Sequence, residues 1–325
     1  MTFGNVLFIQ IKMLGDILML TPAIRAFKEK FPESKIDVAV QPPGEMLLRH
    51  NPNVNRVISL KTKHWYELIG QLGLICRLRN NDYDLAVDFL GNPRSAHYTF
   101  LSGAKRRIGY SDARFQYAFT DSYPRTHEYS AISKLRFLEP LGVDISNYRP
   151  EFYLDPEAKL PEEISSLAGI KLAAVSPVSL KDHKVWPVAN FGKVINYIYD
   201  KYKLHSLVIV GPGERRYLDE IKTHIKVPYT PVQINDLSQL GLALKSCSIY
   251  IGNDNGPKHI AVAMGLPTVT VYSHLSDPVC WEYPDQNDHK YIGGMARSDC
   301  RPIGQITPEQ VIAKIDDLLC NISGY

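Results

Sequence analysis

Four short stretches of this 325-residue chain combine residue types suited to moving charge. In "KMLGD", Asp16 follows Gly15 just past an apolar run, where a carboxylate is a candidate general base or the cap of the helix that starts beside it. "SPVSLKDHKVWP" sets Ser179, Lys181 and Lys184 ahead of a helix-opening Pro187, and Lys184 can reach an anion as a mobile point charge. "GNDNGPKHIA" hands an apolar run to a helix: Asp254 and Asn255 can bond local amides, Gly256 admits a close ligand, and Pro257 suits the first helical position. Free amides there would face a phosphate, although an ordinary capped turn uses the same residues. Lys258 stands where the helix dipole disfavours a cation, which calls for a negative partner such as a diphosphate. In "GPGERR", Glu214 is placed to accept hydrogen bonds from ribose hydroxyls, or is simply a solvated loop residue.

The elements carrying these loops repeat. Residues 5–11 read as a buried strand, 16–30 as a helix turning Leu18, Leu20, Ala23, Ile24 and Phe27 inward, and 35–40 as a second strand. The pattern returns with a strand at 172–176, a helix at 187–201 and a strand at 206–211. A further strand at 84–88 ends near Asp88, Asn92 and Arg94, a helix is predicted over 133–141, and the stretch 142–161 is the candidate linker. Strands alternating with helices predict an α/β chain of two Rossmann-like parallel-sheet domains facing a central cleft, with ligands at the carboxyl ends of strands. The division is expected at residues 1–165 and 166–325, the last helix packing back on the first domain.

Composition narrows the classes. Hydrophobic residues make up 45% and charged residues 22% of the chain, as in a globular protein, and Lys plus Arg (37) exceed Asp plus Glu (34) by only 3, which argues against nucleic acid. The excess is nevertheless concentrated: Arg94, Lys105, Arg106, Arg107, Arg114, Arg125, Lys134 and Arg136, with His97 and His127, crowd one region, either a solvated face or a surface for an anionic substrate. Five cysteines without a C-x-x-C pair signal neither a disulfide framework nor zinc, and the start lacks the features of a signal peptide, so a cytoplasmic location is expected. "GPGERR" lacks the third glycine of a dinucleotide fingerprint, and no P-loop occurs. "DYD" at Asp82 and Asp84 resembles a metal-binding D-x-D but precedes its strand, where a turn is the simpler account. In "HWYELIGQLGLICRLR", Trp65, Leu68, Ile69, Leu72 and Ile75 recur at helical spacing beside Lys61, Lys63, Arg77 and Arg79, a core-packed helix in preference to a membrane-docking one.

The stretches "LFIQIKMLGDILMLTPAIRAFKEKFP", "YDLAVDFLGNPRSA", "SGAKRRIGY", "DHKVWP", "GNDNGPKHIAVAMGLPTVTVY" and "ITPEQV", in this order, resemble the lipopolysaccharide heptosyltransferases of glycosyltransferase family 9. The resemblance implies a GT-B fold, an acceptor-binding first domain, and a second domain holding ADP-heptose, with inverting transfer that needs no metal or other cofactor. It implies Asp16 as base and Lys184 on the diphosphate, and it puts Asp254, Asn255, Gly256 and His259 beside the same group. Ser179 and Glu214 fall where phosphate and ribose are held, and Lys12, Asp88, Asn92, Arg94 and Arg107 are the candidates for the acceptor. That acceptor would be anionic lipid A inner core, reached by peripheral contact with the inner leaflet of the cytoplasmic membrane. Lys258 is not in the family's pattern. The chain also departs from it at Gln10, where Lys or Arg is common and Lys12 is the substitute, at Leu180, where a hydroxyl is frequent, and at Asn255, where Ser or Thr is frequent. Two other readings suit the residues: a different sugar-nucleotide GT-B enzyme, such as an epimerase, and a catalytically silent sugar-nucleotide-binding protein.

Overall fold

A computed structural model describes residues 2–60, 68–295 and 302–320. The chain divides into two compact units, Met1–Tyr153 and Leu154–Tyr325. In the first unit, strands β1 (Asn5–Gln10), β2 (Lys35–Val40), β3 (Arg56–Ser59), β4 (Leu85–Asp88), β5 (Arg106–Tyr110) and β6 (Asp121–Tyr123) form a parallel sheet in the order β3-β2-β1-β4-β5-β6. In the second, β7 (Leu172–Ser176), β8 (His205–Val210), β9 (Tyr229–Gln233), β10 (Ile249–Asn253), β11 (Thr268–Tyr272) and β12 (His289–Gly293) form another, in the order β12-β11-β10-β7-β8-β9. This is the α/β class expected. Central strands such as β1 and β7 are buried almost throughout, because helices cover both faces of a parallel sheet and leave no polar side to alternate with.

Helix ends follow local chemistry. The single helix expected over 16–30 is two, Leu14–Leu18 and Thr21–Lys30. Pro22 has no N–H for the Leu18 carbonyl, and the Thr21 hydroxyl donates to that carbonyl instead, at 2.7 Å. The helix expected over 133–141 runs Ser130–Arg136 and ends in a short turn Glu139–Leu141 that contains Pro140 and closes at Gly142, φ 77°. The candidate linker spans the division between the units, and the short helix Glu162–Ser165 lies in the second of them. The last helix, Pro308–Cys320, packs on the helix Val188–Tyr202 and on β11 and β12, all in its own unit. There Asp316 accepts from the Tyr197 and Tyr202 hydroxyls, each at 2.8 Å.

The amphipathic stretch packs on the core, but Leu72 of the expected stripe does not face it. In the helix Leu68–Arg79, Leu78 is buried in the core with Leu74 packed beside it, whereas Leu72 is 61% exposed. Lys61, Lys63 and Trp65, and the side chains of Leu68 and Ile69, lie outside the described residues. Among the described residues no helix is long and apolar enough to cross a membrane, and Cys76, Cys247, Cys280 and Cys320 are free thiols.

Candidate functional site

Each sheet reverses its winding once. In the second unit the chain moves outward from β7 through β8 to β9, then returns to the other side of β7 at β10, so the loops after β7 and β10 leave in opposite directions. Parallel sheets bind ligands at this point, beyond the carboxyl ends of the strands. The loop after β7 carries Lys184, and the turn after β10 carries Asp254 and Asn255. In the first unit the corresponding pair is β1 and β4, followed by the segments that hold Asp16 and Asn92.

The loop after β7 is anchored at its end by Trp186, a fully buried side chain. Its backbone N–H donates to Asn253 Oδ1 at 3.0 Å, and its indole N–H donates to the Ile306 carbonyl at 2.8 Å. Lys184, two residues earlier, places Nζ 2.5 Å from Asp254 Oδ2. His259 Nε2 faces the other carboxylate oxygen at 3.8 Å. Burial would raise the Asp254 pKa, but the electrostatic influence of His259, Lys184 and Lys258, with the Lys184 hydrogen bond, outweighs it and holds the group below the ordinary carboxylate value. Lys184 is therefore an oriented cation rather than a free point charge.

Asn255 bonds a local amide, one of the roles its turn allowed, and braces the turn further. As N-cap of the helix Gly256–Ala263, its Oδ1 accepts from the Lys258 N–H at 3.0 Å and from the Tyr250 hydroxyl at 2.8 Å, while Nδ2 donates to the Val178 carbonyl and the Ser176 hydroxyl. That exhausts the hydrogen-bonding capacity of an amide side chain, so Asn255 shapes the turn and has none left for a donor molecule. Gly252 makes room for this bracing: a β-carbon there would meet the Tyr250 hydroxyl at 2.3 Å. Pro257 lacks an N–H and that of Lys258 is taken, so Gly256 keeps the one amide among the first three helical positions that no cap or proline removes.

Lys258 also finds its negative partner within the protein. It is 0% exposed, with Nζ 3.0 Å from Glu282 Oε2 and 2.6 Å from the Trp281 carbonyl. Held by these partners, the lysine does not reach solvent. Ser179 is half-buried in the loop after β7, and Lys181 and Leu180 are exposed. Glu214, after β8, spends Oε2 on the Gly211 N–H at 2.7 Å, an arrangement that closes its own loop.

In the first unit Asp16 lies in the first turn of the helix Leu14–Leu18, whose cap position is Met13, so Asp16 is not the capping residue. It is half-buried, and among the described residues its carboxylate makes no hydrogen bond or ion pair. Gln10 is buried and donates to the Asp16 carbonyl at 3.4 Å, bracing the backbone where the family pattern has a cation. Lys12 is exposed between them. Arg94 is half-buried and donates to Gln41 Oε1 at 3.0 Å, both residues lying past the carboxyl ends of their strands. Asn92 caps the helix Pro93–Leu101 in a capping box with Ser95.

Two acceptor candidates are engaged within the first unit, Asp88 wholly and Arg107 in part. Asp88 is 0% exposed: Oδ1 accepts from the Leu90 and Gly91 N–H groups, each at 2.9 Å, and Oδ2 accepts from the Ser95 hydroxyl at 2.8 Å. Burial pushes its pKa up against these bonds. It is a loop brace. Arg107 sits near the amino end of β5 and donates to the Ala118 and Ala104 carbonyls, each at 2.8 Å. The rest of the basic cluster is largely neutralised: Lys105 pairs with Asp84, Arg106 with Asp121, Arg125 with Asp112 and Arg136 with Glu128. "DYD" is a turn, with Asp82 at φ 45° and Asp84 accepting from the Gly4 N–H and from Lys105.

Sequence reasoning missed Glu282, Tyr272, Tyr250 and Ser176. Each reaches the helix start at Gly256 only through the fold, and no spacing rule connects residue 258 with residue 282.

Residues 72–302 match the profile of glycosyltransferase family 9 (heptosyltransferase). The chain is 26% identical to lipopolysaccharide heptosyltransferase 3 of Escherichia coli, covering 94% of this chain and 96% of that protein. It is 25% identical to lipooligosaccharide heptosyltransferase 2 of a Campylobacter jejuni strain, over 94% and 96% of the two chains. Among solved structures, a family 9 glycosyl transferase from Veillonella parvula superposes with a TM-score of 0.88 at 22% identity, covering 99% of both chains. E. coli heptosyltransferase WaaC with ADP gives 0.79 at 19% identity, covering 97% of this chain and 99% of that one. The two sheets, their winding and the matched profile agree: the chain belongs to glycosyltransferase family 9, the heptosyltransferases, and is a glycosyltransferase with a GT-B fold.

Proposed function

We propose that the protein transfers a heptose from ADP-heptose to the inner core of lipopolysaccharide, inverting the anomeric centre. The observation that carries this reading is the oriented cation in the second unit, Lys184 held by buried Asp254 beside the helix start at Gly256. A diphosphate needs such a group when its bond to the sugar breaks, because charge then develops on the leaving oxygen. In this reading Lys184 and the Gly256 amide take that charge, His259 lies beside the same phosphates, and Ser179 and the remaining oxygen of Glu214 contact phosphate and ribose. Asp16, unengaged in the first turn of its helix, takes the proton from the attacking hydroxyl. The proton leaves oxygen as the new glycosidic bond forms at the face opposite ADP, which inverts the centre.

Arg94 and Lys12, with Asn92 beside them, are the groups proposed for the anionic acceptor. No step is assigned to a metal, since charged side chains and an amide supply the stabilisation. A cytoplasmic enzyme reaching its lipid-linked acceptor at the inner leaflet of the membrane fits this chemistry. The test is direct: purified protein, ADP-heptose and defined inner-core acceptors should give a product one heptose heavier by mass spectrometry. No transfer to any of these acceptors would overturn the reading. A thermal-shift panel in which UDP or GDP stabilises the protein more than ADP would redirect it to another donor.

A further inference from the structure

The ion pair between Lys258 and Glu282 is not used by the reaction described above, yet it joins three pieces of the second unit. Lys258 is the third residue of the helix Gly256–Ala263, Tyr272 ends β11, and Glu282 directly follows the short helix Pro278–Trp281. Lys258 Nζ donates to Glu282 Oε2, to the Trp281 carbonyl and to the Tyr272 hydroxyl, and the Tyr272 hydroxyl in turn donates to Glu282 Oε2 at 2.9 Å. One ammonium thus fastens the segment after β11 to the helix start at the donor turn.

Stability alone is a poor reason for this arrangement. Withdrawing two ions from water is seldom repaid by their attraction, and packed apolar residues of similar volume hold segments together at least as well. The helix dipole opposes a cation at this position, and the second oxygen of Glu282, Oε1, is buried without a hydrogen-bond partner. What the pair does fix is the position of Trp281. That indole meets the His259 ring edge-on, with centroids 5.9 Å apart and planes at 62°. His259 in turn faces Asp254, which holds Lys184.

We propose that Lys258 and Glu282 are positioning residues for the donor site: by fastening Trp281 they fix the His259 ring, and through it the Asp254–Lys184 pair, in the orientation that receives a nucleoside diphosphate. The proposal rests on the donor-site reading given above. Removing one partner strands the other charge, so the test replaces both with apolar residues, Lys258→Met with Glu282→Met, and sets Glu282→Ala against Glu282→Gln. Each full-length variant is titrated with ADP by calorimetry well below its own melting temperature.

The double variant should fold and bind ADP about tenfold more weakly. Glu282→Ala should weaken binding comparably, and Glu282→Gln, which keeps an acceptor for Lys258 and Tyr272, should recover most of the loss. A purely structural role would lower the melting temperature and leave the affinity of the folded protein untouched. A folded double variant with wild-type affinity overturns the proposal. If that variant does not fold, equal affinities for Glu282→Ala and Glu282→Gln overturn it. Failure of the wild type to bind ADP, UDP or GDP would sink the donor-site reading and this proposal together, whereas wild-type binding with unaltered variants sinks this proposal alone.

Discussion

Lys184 Nζ and Asp254 Oδ2 lie 2.5 Å apart, joining the loop after β7 to the turn after β10 across 70 residues of sequence. The lysine is 22% exposed and the aspartate 5%, so one end of the pair still meets solvent. On the proposed reading, an incoming diphosphate would find the ammonium already aimed and lose little ordering entropy in engaging it.

Lys184→Ala should weaken ADP binding by about tenfold or more and lower turnover as well, because the same charge serves ground state and transition state. Calorimetry and steady-state kinetics read the two losses separately. Unchanged ADP affinity would remove Lys184 from the phosphate site.

Asp254 gives the pair a pH signature. Its folded pKa lies below the unfolded value of about 3.9, so the unfolded chain takes up the proton first. The stabilisation is complete above that value and is lost as pH falls through the folded pKa. Urea midpoints measured from pH 6 down to pH 3 should fall less steeply for Asp254→Asn than for the wild type below about pH 4. Parallel curves would show that Asp254 is not ionised in the folded protein in the way its neighbours imply.

Asp16→Asn should abolish most transfer, by about 100-fold or more, while leaving ADP-heptose affinity near that of the wild type. The variant keeps the size of the side chain and removes its basicity, so a matching fall in donor affinity would point to a binding role instead.

The architecture was legible because it rests on local patterns. Strands such as β1 and β7 announce themselves as unbroken apolar runs, and the helix Gly256–Ala263 ends just before Gly265, whose φ of 77° favours glycine. Element ends were less legible where proline acts through a carbonyl four residues back, as Pro22 does on Leu18. In the candidate site, Asp16, Lys184, Asp254, Gly256 and His259 could be picked out from their loops. Their mutual use could not, since Asn255 and Asp88 look like ligand groups in sequence yet spend themselves on neighbouring hydroxyls, amides and carbonyls, and Arg107 turns part of its guanidinium to two carbonyls. Lys258 is the sharpest case: the helix dipole correctly demanded an anion, but the anion is Glu282, 24 residues away in a segment without a motif.

The pairing of Lys105, Arg106, Arg125 and Arg136 with their own carboxylates has a kinetic consequence. Cations matched by their own carboxylates add little field beyond the Debye length of about 8 Å in physiological salt, so with half of the eight cations of this face paired off, steering of a polyanion from a distance is weakened. On the proposed reading, recognition of the acceptor would then fall to short-range contacts such as those offered by Arg94. The kcat/KM for a phosphorylated acceptor should accordingly change less than about threefold between 50 and 300 mM salt, whereas a steered encounter would slow steeply over that range. Specificity for the acceptor would be decided after collision, by fit at the surface, and not by the rate at which collisions occur.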